Sequence, residues 1–515
     1  MHIFLYGPSG SGKTTVGKLL AKSLGMPCLD MDAEIEQTTG NTIQRYMLEN
    51  GEAAFREMES SVLRKIVDGP KKVIALGGGT LLRDENRVLA QSCGKVIFLN
   101  AEPRILIARL AQDSNRRPLL TGELEKSLIT LLKDREAHYS SFPIRVDASL
   151  PPEKVALDIQ MHLGRFHLRN MGSSYDVLVQ EGGLDSLGEM LRSREFDEKI
   201  LIVSDENVAP LYAERVIASL QASRYSAAKF IIPAGEKHKN IETVLTLWHG
   251  FAEANLNRKS LVIALGGGIV SDLVGFCAAT FMRGCSWAAI PTTLLAMVDA
   301  AIGGKTGFDL PEGKNLAGAF YPPKFVLADP DVLLTLPVRE MRAGLAEVIK
   351  HGIIADPDLF YLCADGLENV ISQKNVIVRR AMAVKVKIVE EDPFEQSSRA
   401  LLNFGHTVGH AVELVSKFSM LHGEAVAVGM VAEAKLAERL SISDSGLANS
   451  LIEALSKLGL PVDIPGDLPH NELVRAMKMD KKKTNRSVRF SLPVRIGEVK
   501  VGIEINDLQL VLEEK

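Results

Sequence analysis

The sequence predicts an α/β protein in three parts: a parallel-sheet unit over residues 1–165, a second α/β unit over 172–325, and a mostly α-helical unit over 326–515. Three observations carry this reading. Short apolar runs alternate with helix-like stretches through the first two parts, the rhythm of parallel strands covered by helices. A glycine-rich motif near the start stands between a strand-like run and a helix-like run. Beyond Val338 the strand-like runs stop and long helical segments take over. A length of 515 residues agrees with about three units at roughly 150 residues each.

In chain order, residues 3–6, 73–76 and 96–99 read as buried strands, and 16–24 and 54–67 as helices. A helical stretch over 151–168 closes the first unit, and the polar run 169–174 reads as a joint. Strands follow at 175–180, 199–204, 229–233 and 260–265. Residues 261–282 form the longest apolar stretch, but Gly266, Gly267, Gly268, Ser271 and Asp272 interrupt it, so a strand turning into a helix is expected there rather than a membrane span. Long helices are expected at 340–354, 376–391, 406–415 and 424–440.

The composition, 46% hydrophobic and 24% charged, is that of a globular chain and too apolar for a disordered one. With 60 basic and 64 acidic side chains the net charge is −4, so the overall field offers nothing to nucleic acid or an anionic membrane, and phosphate binding must be local. Five scattered cysteines without a CxxC pair, and an opening Met-His-Ile-Phe without a signal-like basic and apolar run, make a reducing cytoplasm the expected location.

Gly7 to Thr14 fits GxxxxGK[ST] in the context the motif requires. Its glycines let backbone N–H groups converge on phosphate oxygens at a helix N-terminus, Lys13 adds a point charge, and Thr14 can ligate magnesium. Three features narrow the chemistry. Asp30 and Asp32 place two carboxylates near the phosphate end. Phe55-Arg56 opens a helix. Gly77, Gly78 and Gly79 leave a strand end bare enough for a small ligand to lie against it. With Arg116-Arg117-Pro118-Leu119 in a polar stretch and Arg135 near Tyr139 on the last long helix, these residues suit a polyol carboxylate.

This segment resembles shikimate kinase over about residues 1–165. The resemblance implies that Gly10, Gly12, Lys13, Thr14 and Thr15 hold ATP and that Asp30 supports magnesium through water. It implies that Asp32 binds the substrate hydroxyls and acts as base, that Arg56, Gly78, Gly79 and Arg135 hold shikimate, that Arg117 is the lid arginine, and that Arg109 stacks on adenine. The family's Pro-Leu between the final arginine and tyrosine is absent: the stretch reads Arg135-Glu136-Ala137-His138-Tyr139.

Farther on, His406 and His410 stand at i and i+4, on one helical face, and His422 follows. Glu347 opens another long helix. Two imidazoles and a carboxylate leave an open position, the layout of a catalytic metal site, and spacing alone leaves open which two histidines bind. Gly266-Gly267-Gly268 ends an apolar strand before a helix, where a pyrophosphate can lie. Asp205 and Asn207 offer ribose-type hydrogen bonds, and Glu236 and Lys239 form another polar loop. Arg283, Thr292, Thr293, Asp299, Lys305, Lys314, Asn315, Lys350, Lys385, Arg399 and Asn403 supply cations and amides suited to a small, highly anionic substrate.

Residues 172–515 resemble 3-dehydroquinate synthase through the blocks ALGGGIVSDLVGF, FMRG, PTTLLAMVDAAIGGKTG, GKNLAGAF, GLAEVIKHGI and LLNFGHTVGHAVE. The resemblance implies Glu347, His406 and His422 as zinc ligands, with cobalt a possible substitute, and His410 as the proton-transfer group. It implies Asp205, Asn207, Glu236, Lys239, Gly267, Gly268, Asp272, Thr292 and Thr293 against NAD. Arg283, Asp299, Lys305, Lys314, Asn315, Lys350, Lys385, Arg399 and Asn403 would line the substrate, joined by Lys481 or Lys482. The expected whole is a bifunctional enzyme of aromatic precursor synthesis, dimeric through the second half. The rivals are another small-molecule kinase fused to a metal-dependent polyol dehydrogenase, or a nucleotide-sensing P-loop module on a synthase.

Overall fold

The computed structural model describes residues 1–112, 124–192, 194, 196–395, 397–479 and 487–512. The chain divides into two compact units, Met1–Arg165 and Phe166–Lys515.

The first unit is built on a five-stranded parallel sheet in the order Cys28–Asp30, Val73–Ala75, His2–Tyr6, Gly94–Asn100, Arg145–Asp147. The central strand His2–Tyr6 is buried throughout, which is why it reads as a continuous apolar run rather than an alternating one. One face packs Ile3 and Leu5 against Val16, Leu20, Leu106 and Ile159 of the helices Lys13–Ser23, Pro103–Gln112 and Pro152–Leu163. The other packs Phe4, Tyr6 and Phe98 against Val62, Leu63, Ile66, Tyr139 and Phe142. The helix Ile43–Val67 is broken at Gly51 (φ 82°), so Phe55-Arg56 does lie just inside a fresh helical segment. Because the strands are parallel, the glycine loop, Asp30 and the glycine triplet all follow carboxyl ends of neighbouring strands, where α/β sheets bind ligands.

The second unit holds a seven-stranded sheet in the order Arg165–Leu168, Tyr175–Val179, Phe325–Ala328, Ser286–Pro291, Leu261–Gly266, Lys199–Asp205, Ser226–Ile232. From Lys199–Asp205 the chain goes outward to Ser226–Ile232, and from Leu261–Gly266 it goes the other way to Ser286–Pro291. The topology therefore reverses between two hydrogen-bonded strands, opening a crevice at the ends marked by Asp205 and Gly266. The helices Val338–Ala355, Lys374–Glu391, His406–Val415 and His422–Arg439 follow.

Several expectations are corrected. Residues 165–168, read as the end of a helix, form a strand of the second sheet. The boundary at 325/326 falls inside the buried strand Phe325–Ala328, which pairs with strands on both sides, so the sheet cannot end there. Two antiparallel hairpins were not foreseen: Lys305–Leu310 with Gly313–Phe320, and Val488–Arg495 with Glu498–Ile505 inside the supposedly helical part. Arg135 precedes the short helix Glu136–Ser140 instead of lying on the last long helix, which is Pro152–Leu163. Glu347 sits in the middle of Val338–Ala355, not at its start. No helix of the described residues is long and apolar enough to cross a membrane.

Candidate active sites

In the first unit, Gly7, Gly10 and Gly12 take φ of 153°, 81° and 85°, so the loop can curl its backbone N–H groups toward one point. A side chain at Gly10 would meet Leu110 at 3.0 Å, and one at Gly7 would meet the Leu99 carbonyl at 2.6 Å. The Lys13 ammonium donates to the Gly7 and Pro8 carbonyls at 2.8 and 2.9 Å, folded over the loop. Thr14 Oγ1 donates to Asp30 Oδ2 at 2.5 Å, while Asp30 Oδ1 accepts from the N–H of Asp32 and caps the helix Met31–Thr39. A hydroxyl and a carboxylate are thus brought together beside the phosphate cradle.

The glycine triplet is the floor of the second subsite. A Cβ on Gly78 would lie 3.4 Å from the Gly7 carbonyl, so the triplet abuts the phosphate loop. A Cβ on Gly77 would lie 3.2 Å from Asp32 Oδ1, and one on Gly79 would lie 2.7 Å from Arg56 Nη1. Arg135 Nη1 donates to the Gly78 carbonyl at 3.0 Å, as do the hydroxyls of Tyr139 and Tyr6 at 3.2 and 3.3 Å. Asp32, Arg56, Gly78, Gly79 and Arg135 therefore meet around one turn. Arg109 donates to the Ala148 carbonyl at 2.9 Å and reaches Gly10 at 3.5 Å, at the rim of the loop. Arg116 and Arg117 lie outside the described residues.

Sequence reasoning missed Glu59. It is 1% exposed and accepts from Arg56 at 2.5 Å and from Thr80 at 2.7 Å, so a buried carboxylate fixes the arginine. Its i+3 spacing from Arg56 was the available signal.

In the second unit, Glu347 is fully buried. Its Oε1 lies 3.6 Å from Nε2 of both His406 and His422, and the three ligand atoms lie within 4.8 Å of one another. That Oε1 has no hydrogen-bond partner, and Oε2 is ion-paired with buried Lys350. On the far side of each ring an acceptor holds Nδ1: the Phe404 carbonyl at 3.2 Å for His406 and Glu413 Oε2 at 3.0 Å for His422. Both Nε2 atoms are thereby aimed at the carboxylate, the orientation imposed on metal-binding imidazoles. Burial opposes charge on all three. It holds His406 well below its usual pKa; for His422, the facing carboxylates of Glu347 and Glu413 outweigh it and push the value up to about 10. Lys350 and the imidazoles overcome it for Glu347, which stays ionised. His410 stacks edge-on to His406 with ring centres 5.1 Å apart and forms, with Glu413 and His422, a second group of possible ligand atoms beside that of Glu347, His406 and His422.

Around this cluster, buried Lys385 contacts Asp299 at 2.5 Å. Buried Arg399 contacts Glu395 at 3.2 Å and, through Nη1, the Pro393 carbonyl at 2.8 Å, while Lys305 also pairs with Glu395. Glu395 and Glu413 were missed; Glu395 sits in a loop at φ 60°, where no periodicity marks it. At the crevice, Asp272 and Lys239 pair at 2.6 Å, and Lys239 also donates to Asn315 at 2.5 Å. Burial pushes Asp272 up to about 6. Asp205 Oδ1 accepts from the N–H of Asn207 at 2.8 Å, and a Cβ on Gly267 would lie 3.3 Å from Thr293, leaving the turn open only to backbone contact. A Cβ on Gly268 would lie 3.2 Å from Ala300. Ser271 Oγ, in the first turn of the helix Gly268–Thr280, and Thr292 Oγ1, just past the strand Ser286–Pro291, are buried without hydrogen-bond partners. Lys314 lies 3.4 Å from Glu236 and 3.6 Å from Glu413, between crevice and imidazoles. Arg283 and Asn403 are exposed, Arg283 on a turn at φ 62°. Lys481 and Lys482 lie outside the described residues.

Fold and side chains together define the class: a phosphate-loop transferase unit joined to an α/β enzyme in which Glu347, His406 and His422 form a group able to hold a metal ion. Residues 9–163 match the shikimate kinase family model, 229–343 the N-terminal and 344–483 the C-terminal 3-dehydroquinate synthase models. The 3-dehydroquinate synthase of Picosynechococcus sp. is 42% identical over 342 residues, covering 65% of this chain and 93% of that protein. That of Symbiobacterium thermophilum is 43% identical over 339 residues, covering 64% and 94%. Among solved structures, ValA, a 2-epi-5-epi-valiolone synthase from Streptomyces hygroscopicus subsp. jinggangensis 5008 with NAD+ and Zn2+ bound, is 31% identical with a TM-score of 0.60, covering 67% of this chain and 96% of that one. A 2-deoxy-scyllo-inosose synthase complexed with carbaglucose-6-phosphate, NAD+ and Co2+ is 26% identical with a TM-score of 0.62, covering 67% and 98%. The chain belongs to the 3-dehydroquinate synthase family, and its first unit is a shikimate kinase domain.

Proposed function

We propose that the first unit transfers the terminal phosphoryl group of ATP to shikimate, and that the second converts 3-deoxy-D-arabino-heptulosonate 7-phosphate to 3-dehydroquinate and phosphate, each with residues of its own unit. The observation that carries the second reading is the unpartnered, buried Glu347 Oε1 facing two imidazoles whose other nitrogens are already held. This donor set fits zinc or cobalt. The switch-point crevice, with unpartnered Ser271 and Thr292 hydroxyls, fits the pyrophosphate end of NAD.

In the first unit, Lys13 leaves the Gly7 and Pro8 carbonyls for the transferred phosphate, and Thr14 with Asp30 would hold magnesium, which supplies charge neutralisation. Gly10, Gly12 and Thr15 complete the cradle. Asp32 orients the acceptor hydroxyl and takes its proton. Arg56 and Arg135 grip the carboxylate over Gly78 and Gly79.

In the second unit the bound metal would supply Lewis acidity and NAD the removal and return of a hydride. Asp205, Asn207, Glu236, Lys239, Asp272, Thr292 and Thr293 hold the dinucleotide against Gly267 and Gly268. Lys350, Lys385 and Arg399 are buried cations now balanced by Glu347, Asp299 and Glu395. The substrate's phosphate and carboxylate compete for them, together with Lys305, Lys314, Asn315, Arg283 and Asn403, and His410 moves a proton beside the metal ligands. A cytoplasmic location and a homodimer through the second half complete the proposal, the latter checked by light scattering.

The purified chain is given each substrate separately while ADP and inorganic phosphate are measured. ADP release that requires shikimate, and phosphate release that requires the heptulosonate phosphate, is the expected result. ATP turnover indifferent to shikimate would refute the kinase half, and no phosphate release in the presence of NAD and zinc would refute the synthase half.

A further inference from the structure

Glu433 is a carboxylate with no exposed surface, on the helix His422–Arg439 eleven residues after His422. Its Oε2 accepts from the Gly405 N–H at 2.7 Å and its Oε1 from the Val408 N–H at 3.2 Å. These donors belong to the start of the helix His406–Val415, whose N-cap is Gly405 at φ 80°. That left-handed turn fixes Phe404, whose carbonyl is the acceptor for His406 Nδ1 at 3.2 Å. The two helices meet without intervening side chains: a Cβ on Gly429 would lie 2.0 Å from the Gly405 carbonyl, and one on Gly409 would lie 3.1 Å from the Ala425 carbonyl.

We infer that Glu433 is a positioning residue for the metal site, acting through the Gly405 turn and the Phe404 carbonyl to aim His406 Nε2. One helix then fixes both imidazoles, carrying His422 at its first position and clamping the start of the helix that carries His406. A carboxylate at a helix N-terminus is favoured by the unsatisfied N–H groups and the helix dipole, so this buried charge is stabilised where it also orders the turn. The inference rests on the metal reading given above, and the experiment separates the two.

The probe is Co2+ alone, titrated into the metal-free full-length chain, with affinity from chelator competition and geometry from the visible absorption bands. Glu433→Gln, which keeps shape but offers only one acceptor, is expected to lower Co2+ affinity about 10–100-fold, the range for losing an outer partner of a metal-bound histidine, and to shift the bands. Glu433→Asp, charged but one methylene shorter, should fall between parent and Gln variant, and supplies the same comparison where the Gln variant fails to fold. Leu436→Ala removes packing from the same helix but neither of the hydrogen bonds that Glu433 accepts, so it should lower thermal stability yet leave affinity and bands unchanged. In a His406→Ala background, Glu433→Gln should have no further effect on affinity. Parent-like Co2+ binding by Glu433→Gln, equal losses with and without His406, or an equal loss in Leu436→Ala would overturn the positioning role. A parent that binds no Co2+ would overturn the metal reading itself.

Discussion

Gly79→Ala isolates the acceptor subsite of the first unit. Gly79 has φ −117°, a conformation alanine accepts, so the substitution introduces no backbone strain. Its effect is contact: the new Cβ would stand 2.7 Å from Arg56 Nη1 and 3.0 Å from Nη2, against roughly 3.4 Å for ordinary packing, so the guanidinium must retreat by about 0.7 Å. Arg56 cannot swing freely, because Glu59, 1% exposed, and Glu52 hold it at 2.5 and 2.9 Å. The displacement is therefore expressed at the substrate carboxylate. Losing one charge-assisted hydrogen bond costs about 1.5–3 kcal/mol, or roughly 10–150-fold in affinity. A coupled assay of ADP release should show the KM for shikimate rising by that factor with the KM for ATP unchanged. Gly69→Ala, whose Cβ would meet only ordinary contacts at 3.5 and 3.8 Å, serves as control and should leave both constants as they were. An unchanged shikimate KM in Gly79→Ala, or an equal rise in both constants, would refute the assignment of Arg56 to the carboxylate.

Lys13→Ala should reduce shikimate-dependent ADP release at least 100-fold and leave phosphate release by the other unit intact; Glu347→Gln should do the reverse, because each side chain serves a site within its own unit. Loss of both activities in either variant would contradict that independence. Dinucleotide affinity should fall as pH drops through about 6, since protonating Asp272 removes the charge that holds Lys239 in the crevice, while Asp272→Asn should give a flat profile; fluorescence titration of NADH from pH 5 to 8 decides it. Cys28 and Cys93 should react with a thiol reagent in the folded chain, whereas Cys277, Cys285 and Cys363 should react only after denaturation, because burial pushes Cys285 and Cys363 up to about 11 and 12 and raises Cys277 as well.

Much of the chemistry was legible because its signals are local. The phosphate loop, the glycine triplets and the His406–His410 spacing are short patterns whose meaning depends on a single turn of backbone. What stayed hidden depends on contacts between distant segments. Glu59 anchors Arg56 only because a strand end brings Thr80 alongside, and Glu413 matters only because the following helix returns His422 to it. Glu433 looks like any charged residue of an amphipathic helix until the glycine contact places it under the Gly405 turn. The hairpin Val488–Arg495 with Glu498–Ile505 was passed over because the surrounding segments are helical, and its register shifts blur the alternation that marks a strand pair. Residues 165–168 were absorbed into the preceding helix because four residues carry too little periodicity to separate the two.

That four-residue strand bears on how the chain could be divided. Phe166 and Leu168 are 2% and 0% exposed, and the strand lies along Tyr175–Val179 as the outermost member of its sheet. Severing the protein in the polar run at 169–174 would strip the synthase of this flank, baring backbone amides and carbonyls that invite pairing with foreign chains. A cut after Gly164 preserves it, so the seam between the two enzymes lies upstream of the polar residues that advertise one.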